Sequence, residues 1–209
     1  MEFAESASWN YSLSPRNAHG LESWGSAGAA TPLTASLVGQ SVGLLRTSTA
    51  TPLHLVTPLN LVFVDRQVQG ASDLAAQALF SLGNNTKVYF LDPWKDAIAQ
   101  MTQTLFGQGQ AIASVHVLSH GAAGQIFLGQ QRLGQDNLAA YQSQFQAWSQ
   151  VLTEDADLVW YGCEVGQDQA FVQRLSQLTQ ADVAASSNVT GQGGDWILEV
   201  QTGAIAQSI

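Results

Sequence analysis

Short apolar runs alternate with longer amphipathic stretches along the chain from residue 59 onward. Each run is bounded by polar or turn residues, which is typical of strands buried in a parallel sheet. The runs predict strands at 61–65, 87–92, 112–118, 157–161 and 182–185. Residues 196–200 (WILEV) alternate as an exposed strand does and predict a further strand at an edge.

Between the strands, apolar residues recur at helical spacing, for example at Ile98, Met101 and Leu105. Such spacing predicts helices at 72–82, 94–106, 135–152 and 167–179, and a small hairpin is predicted at 125–133 with its turn at Gly129. Strands that alternate with helices form βαβ units with right-handed crossovers. The pattern therefore predicts an α/β domain with a mainly parallel sheet.

Residues 1–57 show neither the helical nor the strand period over any sustained length and are rich in Ser, Thr, Ala and Gly. They are predicted to form a leader or arm ahead of a domain at 58–209. Trp9, Tyr11 and Trp24 leave two alternatives open: an arm packed on the domain through its aromatic side chains, or a flexible leader.

Composition excludes several classes of partner. The 209 residues include only 11% charged residues, and the formal charge is −9, the wrong sign for binding nucleic acid or an anionic membrane. No run of 18 apolar residues occurs, so no membrane insertion is expected. The N-terminus also lacks the basic and apolar regions of a secretory signal.

The single cysteine, Cys163, excludes an intramolecular disulfide and a thiolate-rich zinc site. The four histidines stand in no metal-binding motif, so neither a metal nor any other cofactor is expected. His116 is predicted to be a core histidine. The glycine-rich runs at 107–109 and 191–194 are predicted to be turns rather than phosphate loops. Trp94, Trp148 and Trp160 are predicted to lie in the core.

Chemistry-bearing residues follow several predicted strands, at the edge where α/β folds bind ligands. His120 follows the third strand and Cys163 follows the fourth, each beside a glycine (Gly121 and Gly162). An imidazole near a thiol can activate it as a nucleophile, and glycine lets the backbone approach a substrate. A lone cysteine is also often only a small buried apolar residue, so both interpretations stay open. Acids at these strand ends also have a simpler interpretation, as caps of their own loops.

The segments SHGAAGQIFLG, YGC, ADVAASSNVTG and GGDWILE occur in this order, with a Leu-containing helix after the first. The SHG and YGC segments resemble the His-Gly and Gly-Cys signatures of the clan that holds caspases, gingipains, clostripain, legumain and separase. Over residues 60–205 the chain resembles more closely a domain family of that clan, found near the N-termini of large bacterial surface proteins with cadherin-like or calcium-binding repeats.

This resemblance implies a three-layer α/β/α caspase-like sandwich and a cysteine peptidase that acts on peptides or proteins, including its own chain. It implies Cys163 as nucleophile and His120 as its proton-transfer partner, with backbone N–H groups of Gly121 and Cys163 as the oxyanion hole. Thr190 matches the loop that borders the substrate pocket in the clan. Further pocket candidates, whose acids would favour Arg or Lys substrates, are Asp65, Asp92, Ser186, Ser187 and Asp195.

The alternative function is a catalytically silent interaction or presentation module at the head of an adhesin. The resemblance implies an extracellular or cell-surface location, while the absence of a visible signal leaves the cytoplasm as the alternative. The sequence leaves the oligomeric state open.

Overall fold

A six-stranded sheet forms the centre of the domain in the computed structural model, which describes residues 57–206, 208 and 209. Its strands run in the order β2-β1-β3-β7-β8-β9; the first five are parallel and β9 is antiparallel to β8. The strands of the described chain are β1 (Leu59–Asp65), β2 (Thr86–Leu91), β3 (Ile112–Leu118), β4 (His120–Ala122), β5 (Gln125–Leu128), β6 (Gln131–Gly134), β7 (Leu152–Tyr161), β8 (Asp182–Ala185) and β9 (Val200–Gln201).

Helices cover both faces of this sheet. They are α1 (Ala71–Leu82), α2 (Ala97–Phe106), α3 (Gln142–Trp148) and α4 (Gln169–Thr179). Side chains of β1 alternate between two buried clusters: Leu61 and Phe63 pack with α2, α3 and α4, whereas Val62 and Val64 pack with α1. The predicted α/β/α arrangement with a mainly parallel sheet is therefore confirmed.

The chain reverses its direction across the sheet at β1. From β1 it passes through α1 to β2 on one side, and then through α2 to β3 on the other side of β1. Because right-handed crossovers in opposite directions place their helices on opposite faces, α1 lies apart from the other three helices. A crevice at the carboxyl ends of β1 and β3 follows from this reversal, and such crevices are where α/β sheets bind ligands.

A second, antiparallel sheet follows β3 directly, with the order β4-β5-β6. Its turn has Gly129 in the left-handed region (φ 60°), as predicted for the hairpin. Ile126, Leu128 and Leu133 anchor the hairpin in the core. Since β4 begins at His120, this small sheet holds the histidine at the end of β3.

Two predicted elements differ most from the structure. The helix predicted at 135–152 is instead a short 3-10 turn (Leu138–Tyr141) followed by α3, because the chain becomes extended at Leu152 and pairs there with Ile112 of β3. The strand predicted at 196–200 is reduced to β9. Leu198 does point inward there (7% exposed), but the backbone pairs with β8 only from Val200.

Buried polar and aromatic residues test three further predictions. His116 is fully buried and its Nε2 lies 2.9 Å from Ser114 Oγ, which confirms it as a core histidine. Burial lowers the pKa of His116 to about 4.

Trp148 and Trp160 are fully buried as predicted, but Trp94 is 81% exposed, because it lies in the loop before α2 and not in the helix. Among the described residues, no helix is long and apolar enough to cross a bilayer.

Candidate functional site

Two glycines bring the SHG and YGC segments into direct contact. A Cβ atom on Gly121 would lie 2.7 Å from the carbonyl oxygen of Cys163 and 2.6 Å from Cγ2 of Val165. A Cβ atom on Gly162 would lie 3.3 Å from the carbonyl oxygen of His120. Any larger residue at Gly121 would push the two segments apart, so these glycines serve close approach of the backbone.

One cavity at this edge of the sheet is lined by both His120 and Cys163. It has a volume of about 500 Å³, and Leu118, Ser119 and Tyr161 from the ends of β3 and β7 also line it. The segment after β1 contributes residues 68–69, and α1 contributes residue 74. The loop after β8 contributes residues 189–192 and 196. The cavity therefore lies at the topological reversal described above, and the structure brings the two predicted catalytic residues to it.

The His120 side chain is exposed, and within the described part of the chain its ring has one hydrogen-bond contact, to a backbone carbonyl. Nε2 of His120 lies 3.3 Å from the carbonyl oxygen of Gln67, in the segment after β1. A carbonyl oxygen can only accept, so Nε2 carries the proton in this contact. Nδ1 is then the ring nitrogen without a proton when the ring is neutral.

The Cys163 thiol is partly buried, and its Sγ lies 3.8 Å from the carbonyl oxygen of Thr190. The backbone turns sharply directly after it, with Glu164 in the left-handed region (φ 63°). The loop after β8 accepts two hydrogen bonds from this turn, from Glu164 N–H to the Asn188 carbonyl (2.7 Å) and from Gly166 N–H to the Ser186 carbonyl (2.8 Å). Cys163 is thereby fixed between β7 and that loop.

The two acids at the ends of β1 and β2 have local roles. Asp65 is 1% exposed, and its two carboxylate oxygens accept from the N–H groups of Gln67 (3.0 Å) and Gly129 (2.9 Å). Asp92 accepts from the N–H of Trp94 (3.0 Å), and that bond lowers the pKa of its carboxyl group. Both are loop-capping acids, and neither lines the cavity.

The other pocket candidates are hydrogen-bonded within the loop after β8 and do not line the cavity. Asp195 accepts from the Ile197 N–H (2.9 Å) and Ser187 donates its N–H to Glu199 (2.8 Å). Ser186 is fully buried and bonds within its own loop. None of the five pocket candidates lines the cavity. Thr190, which the resemblance placed in the loop bordering the substrate pocket, does line it.

Several lining residues had no place in the sequence prediction, among them Val68, Leu74, Val189 and Trp196. The segment after β1 could have been found, because it leaves the same sheet edge as His120 and Cys163. Val189 and Trp196 depend on how the loop after β8 folds back, which no local pattern indicates. Within the described residues, no group of three His, Cys, Asp or Glu side chains is placed to hold a metal ion.

Fold and site together define an α/β protein with a thiol and an imidazole at one cavity of its sheet edge. The chain belongs to the family described as "Domain of unknown function (DUF4347)", whose profile matches residues 61–209. No curated protein matches the chain. Among solved structures, it is similar to caspase-1 from Spodoptera frugiperda, with 18% identity and a TM-score of 0.34 over 51% of this chain and 48% of that chain.

Proposed function

We propose that this domain is a cysteine peptidase in which Cys163 is the nucleophile and His120 the proton-transfer partner. The observation that carries the proposal is that the chain's single thiol and an exposed imidazole line the same cavity of about 500 Å³. A nucleophile and a base at one accessible cavity are the minimum that covalent acyl transfer needs.

The reaction begins when the Cys163 thiol gives its proton to His120 and the thiolate attacks the carbonyl carbon of a peptide bond. The C–N bond then breaks, and the leaving amine takes the proton from His120. Water next attacks the thioester carbonyl carbon and gives a proton to His120. The C–S bond then breaks, the acid product leaves, and the Cys163 thiolate takes the proton back from His120. The Gly121 and Cys163 N–H groups are the candidate donors to the oxyanion of each tetrahedral intermediate.

The Gln67 carbonyl oxygen has a positioning role in this mechanism. Its contact with Nε2 (3.3 Å) selects the tautomer in which Nδ1 exchanges the proton. This contact comes from the segment after β1, so three separate strand ends contribute to the reaction.

A peptide-based thiol probe tests the proposal. A peptidyl acyloxymethyl ketone should label Cys163 in the folded chain much faster than it labels free cysteine, with intact-mass analysis as the readout. His120→Ala should slow labelling by about 100-fold or more, the usual contribution of a positioned acid or base. Gln173→Ala, an exposed change on α4, is the matched control and should label at the wild-type rate.

Equal labelling rates in the folded chain and in free cysteine, or in wild type and His120→Ala, would contradict the peptidase proposal. That result would favour the catalytically silent interaction module, which keeps the cavity without the chemistry.

Self-processing is the further part of this proposal, and residues 1–56 lie outside the described residues. On incubation of the full chain, wild type should lose residues before about 60, whereas Cys163→Ala should stay intact. N-terminal sequencing and intact mass give the readout. Cleavage at the same bond in both proteins would exclude this activity. The bacterial surface-protein setting that the resemblance implies belongs to the proposal as well.

A further inference from the structure

We infer that the cavity beside Cys163 selects substrates with an uncharged, largely apolar side chain next to the scissile bond, and disfavours Arg, Lys and Asp. This inference rests on the proposed peptidase function and names its substrate class. It replaces the basic preference that the sequence suggested, because the acids invoked for that preference do not line the cavity.

Apolar side chains line the cavity from two separate parts of the chain. Val68 and Leu74 line it from the segment after β1 and from α1, and Val189 and Trp196 line it from the loop after β8. Val189 is 45% exposed, so it offers apolar surface that a bound side chain would remove from water. The Trp196 ring is braced against that of Tyr161, with 5.9 Å between their centroids.

The polar lining groups are uncharged. The amides of Gln69 and Gln192 and the Thr190 hydroxyl and backbone can form hydrogen bonds with a substrate, but they cannot neutralise a charge. Among the described residues that line the cavity, none is Asp, Glu, Lys or Arg. Apart from Cys163, His120 and Tyr161, the lining therefore has no ionisable side chain.

Three carboxylates of the neighbouring loops accept hydrogen bonds from the protein, and neither they nor Glu164 line the cavity. Both oxygens of Asp65 accept backbone N–H groups, and Asp195 holds the turn at Ile197. The Glu199 carboxylate accepts from the N–H of Ser187 and from the side-chain amide of Asn188 (2.6 Å), and the Ser187 bond lowers its pKa. Because no carboxylate lines the cavity, a cationic side chain bound there would lose hydration without a directly paired anion.

A neutral side chain meets no such penalty. A Leu, Met or Phe side chain would cover Val189, Leu74 and Trp196 and gain from the apolar area removed from water. A specificity difference of about 100-fold is the scale that one well-fitted apolar pocket provides. We therefore expect Leu or Phe probes to react about 100-fold faster than Arg or Asp probes.

The experiment uses four peptidyl acyloxymethyl ketones that differ only in the residue next to the reactive group: Leu, Phe, Arg or Asp. Iodoacetamide, which needs no side-chain pocket, is applied in parallel to the full chain. Labelling of Cys163 is followed by intact mass. Faster reaction of the Leu or Phe probe supports the inference, and equal or faster reaction of the Arg or Asp probe overturns it.

A charge placed in the cavity gives a second test. Gln192→Glu adds one carboxylate at an exposed lining position and should raise the Arg-to-Leu rate ratio at least about 10-fold. Gln173→Glu on α4 makes the same chemical change away from the cavity and should leave the ratio unchanged. An unchanged ratio in Gln192→Glu, or an equal rise in both variants, would show that this cavity does not bind the selected side chain.

Failure of the proposed function has a different signature. In that case the peptide probes and iodoacetamide would all react no faster than with free cysteine, and His120→Ala would change none of the rates. If His120→Ala slows every probe but the Arg probe is the fastest, the peptidase proposal stands and only the inferred substrate class is wrong.

Discussion

At the scale of single residues, the separation of the two candidate catalytic segments depends on Gly121. The position faces the Cys163 carbonyl so closely that a methyl group has no space, although the sequence offers only a short SHG motif to mark it. His120 and Cys163 can line one cavity because the main chains that carry them touch.

Gly121→Ala is expected to destabilise the domain by about 1–3 kcal/mol, because the new methyl group meets a backbone carbonyl that cannot move freely. Urea unfolding measures the loss, and Cys163 labelling should slow in parallel. Gly107→Ala is the comparison with a milder contact, since its Cβ would lie 3.2 Å from the Gln103 carbonyl oxygen, and this change should cost less than Gly121→Ala. A variant Gly121→Ala as stable as Gly107→Ala would contradict the packing argument.

Buried His116 predicts a pH dependence of stability. Its pKa is about 4 in the folded protein and about 6.5 when unfolded, so the neutral form stabilises the fold fully above pH 6.5. As the pH falls from 6.5 towards 4, the unfolded chain takes up a proton that the folded chain does not. Each pH unit of that window is worth about 1.4 kcal/mol, so about 3 kcal/mol is lost in total.

Urea unfolding of wild type and His116→Gln between pH 7 and pH 4 measures this contribution. The difference in stability between the two proteins should shrink as the pH falls. A constant difference over this range would show that His116 does not titrate as its burial requires.

Substitutions of the two loop-capping acids, Asp65 and Asp92, test whether these acids stabilise the fold or bind substrate. In Asp65→Asn the side chain keeps one acceptor oxygen, and its NH₂ group faces the second of the two buried N–H donors. The change should lower the free energy of unfolding by about 1–3 kcal/mol. Asp92→Asn makes the same change at an exposed capping acid and should alter stability little. Thermal unfolding compares the two, and neither variant should change the ratio of Arg to Leu probe rates.

At the scale of elements, the helical spacing of apolar residues over 135–152 predicts one helix, whereas strand pairing ends that helix early. The apolar spacing of Phe145 and Trp148 is genuine, and both are fully buried from α3. It does not extend to Leu152, where pairing with β3 draws the chain into β7. Helix propensity is weak compared with a ladder of sheet hydrogen bonds, so this boundary could not be located from local pattern alone.

The N-terminus of α4 has a side-chain cap whose contribution to stability can be measured. The Asp168 carboxylate accepts from the Phe171 N–H (3.1 Å), and Asp168→Ala should cost about 1 kcal/mol in urea unfolding. Asp73→Ala removes an acid from the first turn of α1, where no side chain caps the helix, and should cost less. If both changes cost the same, the cap at α4 contributes nothing beyond helix-dipole effects.

At the scale of the molecule, the segment after β9 crosses the face of the sheet that α1 leaves open. Its backbone N–H groups donate to Asp182 at residue 204, to Asp157 at 206 and to the Tyr161 hydroxyl at 209, each at 2.9 Å. Ile205 and Ile209 pack against the apolar cluster of that face. The segment after β9 therefore covers, together with α1, one face of the central sheet.

Ending the chain at residue 202 should lower the free energy of unfolding by about 2–4 kcal/mol, through two partly buried isoleucines and three hydrogen bonds. Ending it at 207 should cost less, because only the contacts of Ile209 are lost. Equal stability of the chain ended at 202 and the full chain would exclude a packing role for this segment.

The sequence by itself determined the α/β class, the strands of the parallel sheet and the positions of His120 and Cys163 just beyond two of them. Those features are local, because burial imposes its period on neighbouring residues and strand ends are marked by glycine and polar residues. The interpretation of Asp65 and Asp92 as loop caps was also within its reach, since such acids bond to N–H groups two residues on.

Only the tertiary structure decided what surrounds the thiol. The second oxygen of Asp65 binds Gly129 across the fold, and Val189 and Trp196 reach the cavity through a loop tied to β7. These contacts join residues far apart in sequence, and they depend on strand order and on how loops close over the sheet edge. The acids that suggested a basic substrate form hydrogen bonds in their own loops or across the fold and do not line the cavity, whose lining side chains include no Asp, Glu, Lys or Arg.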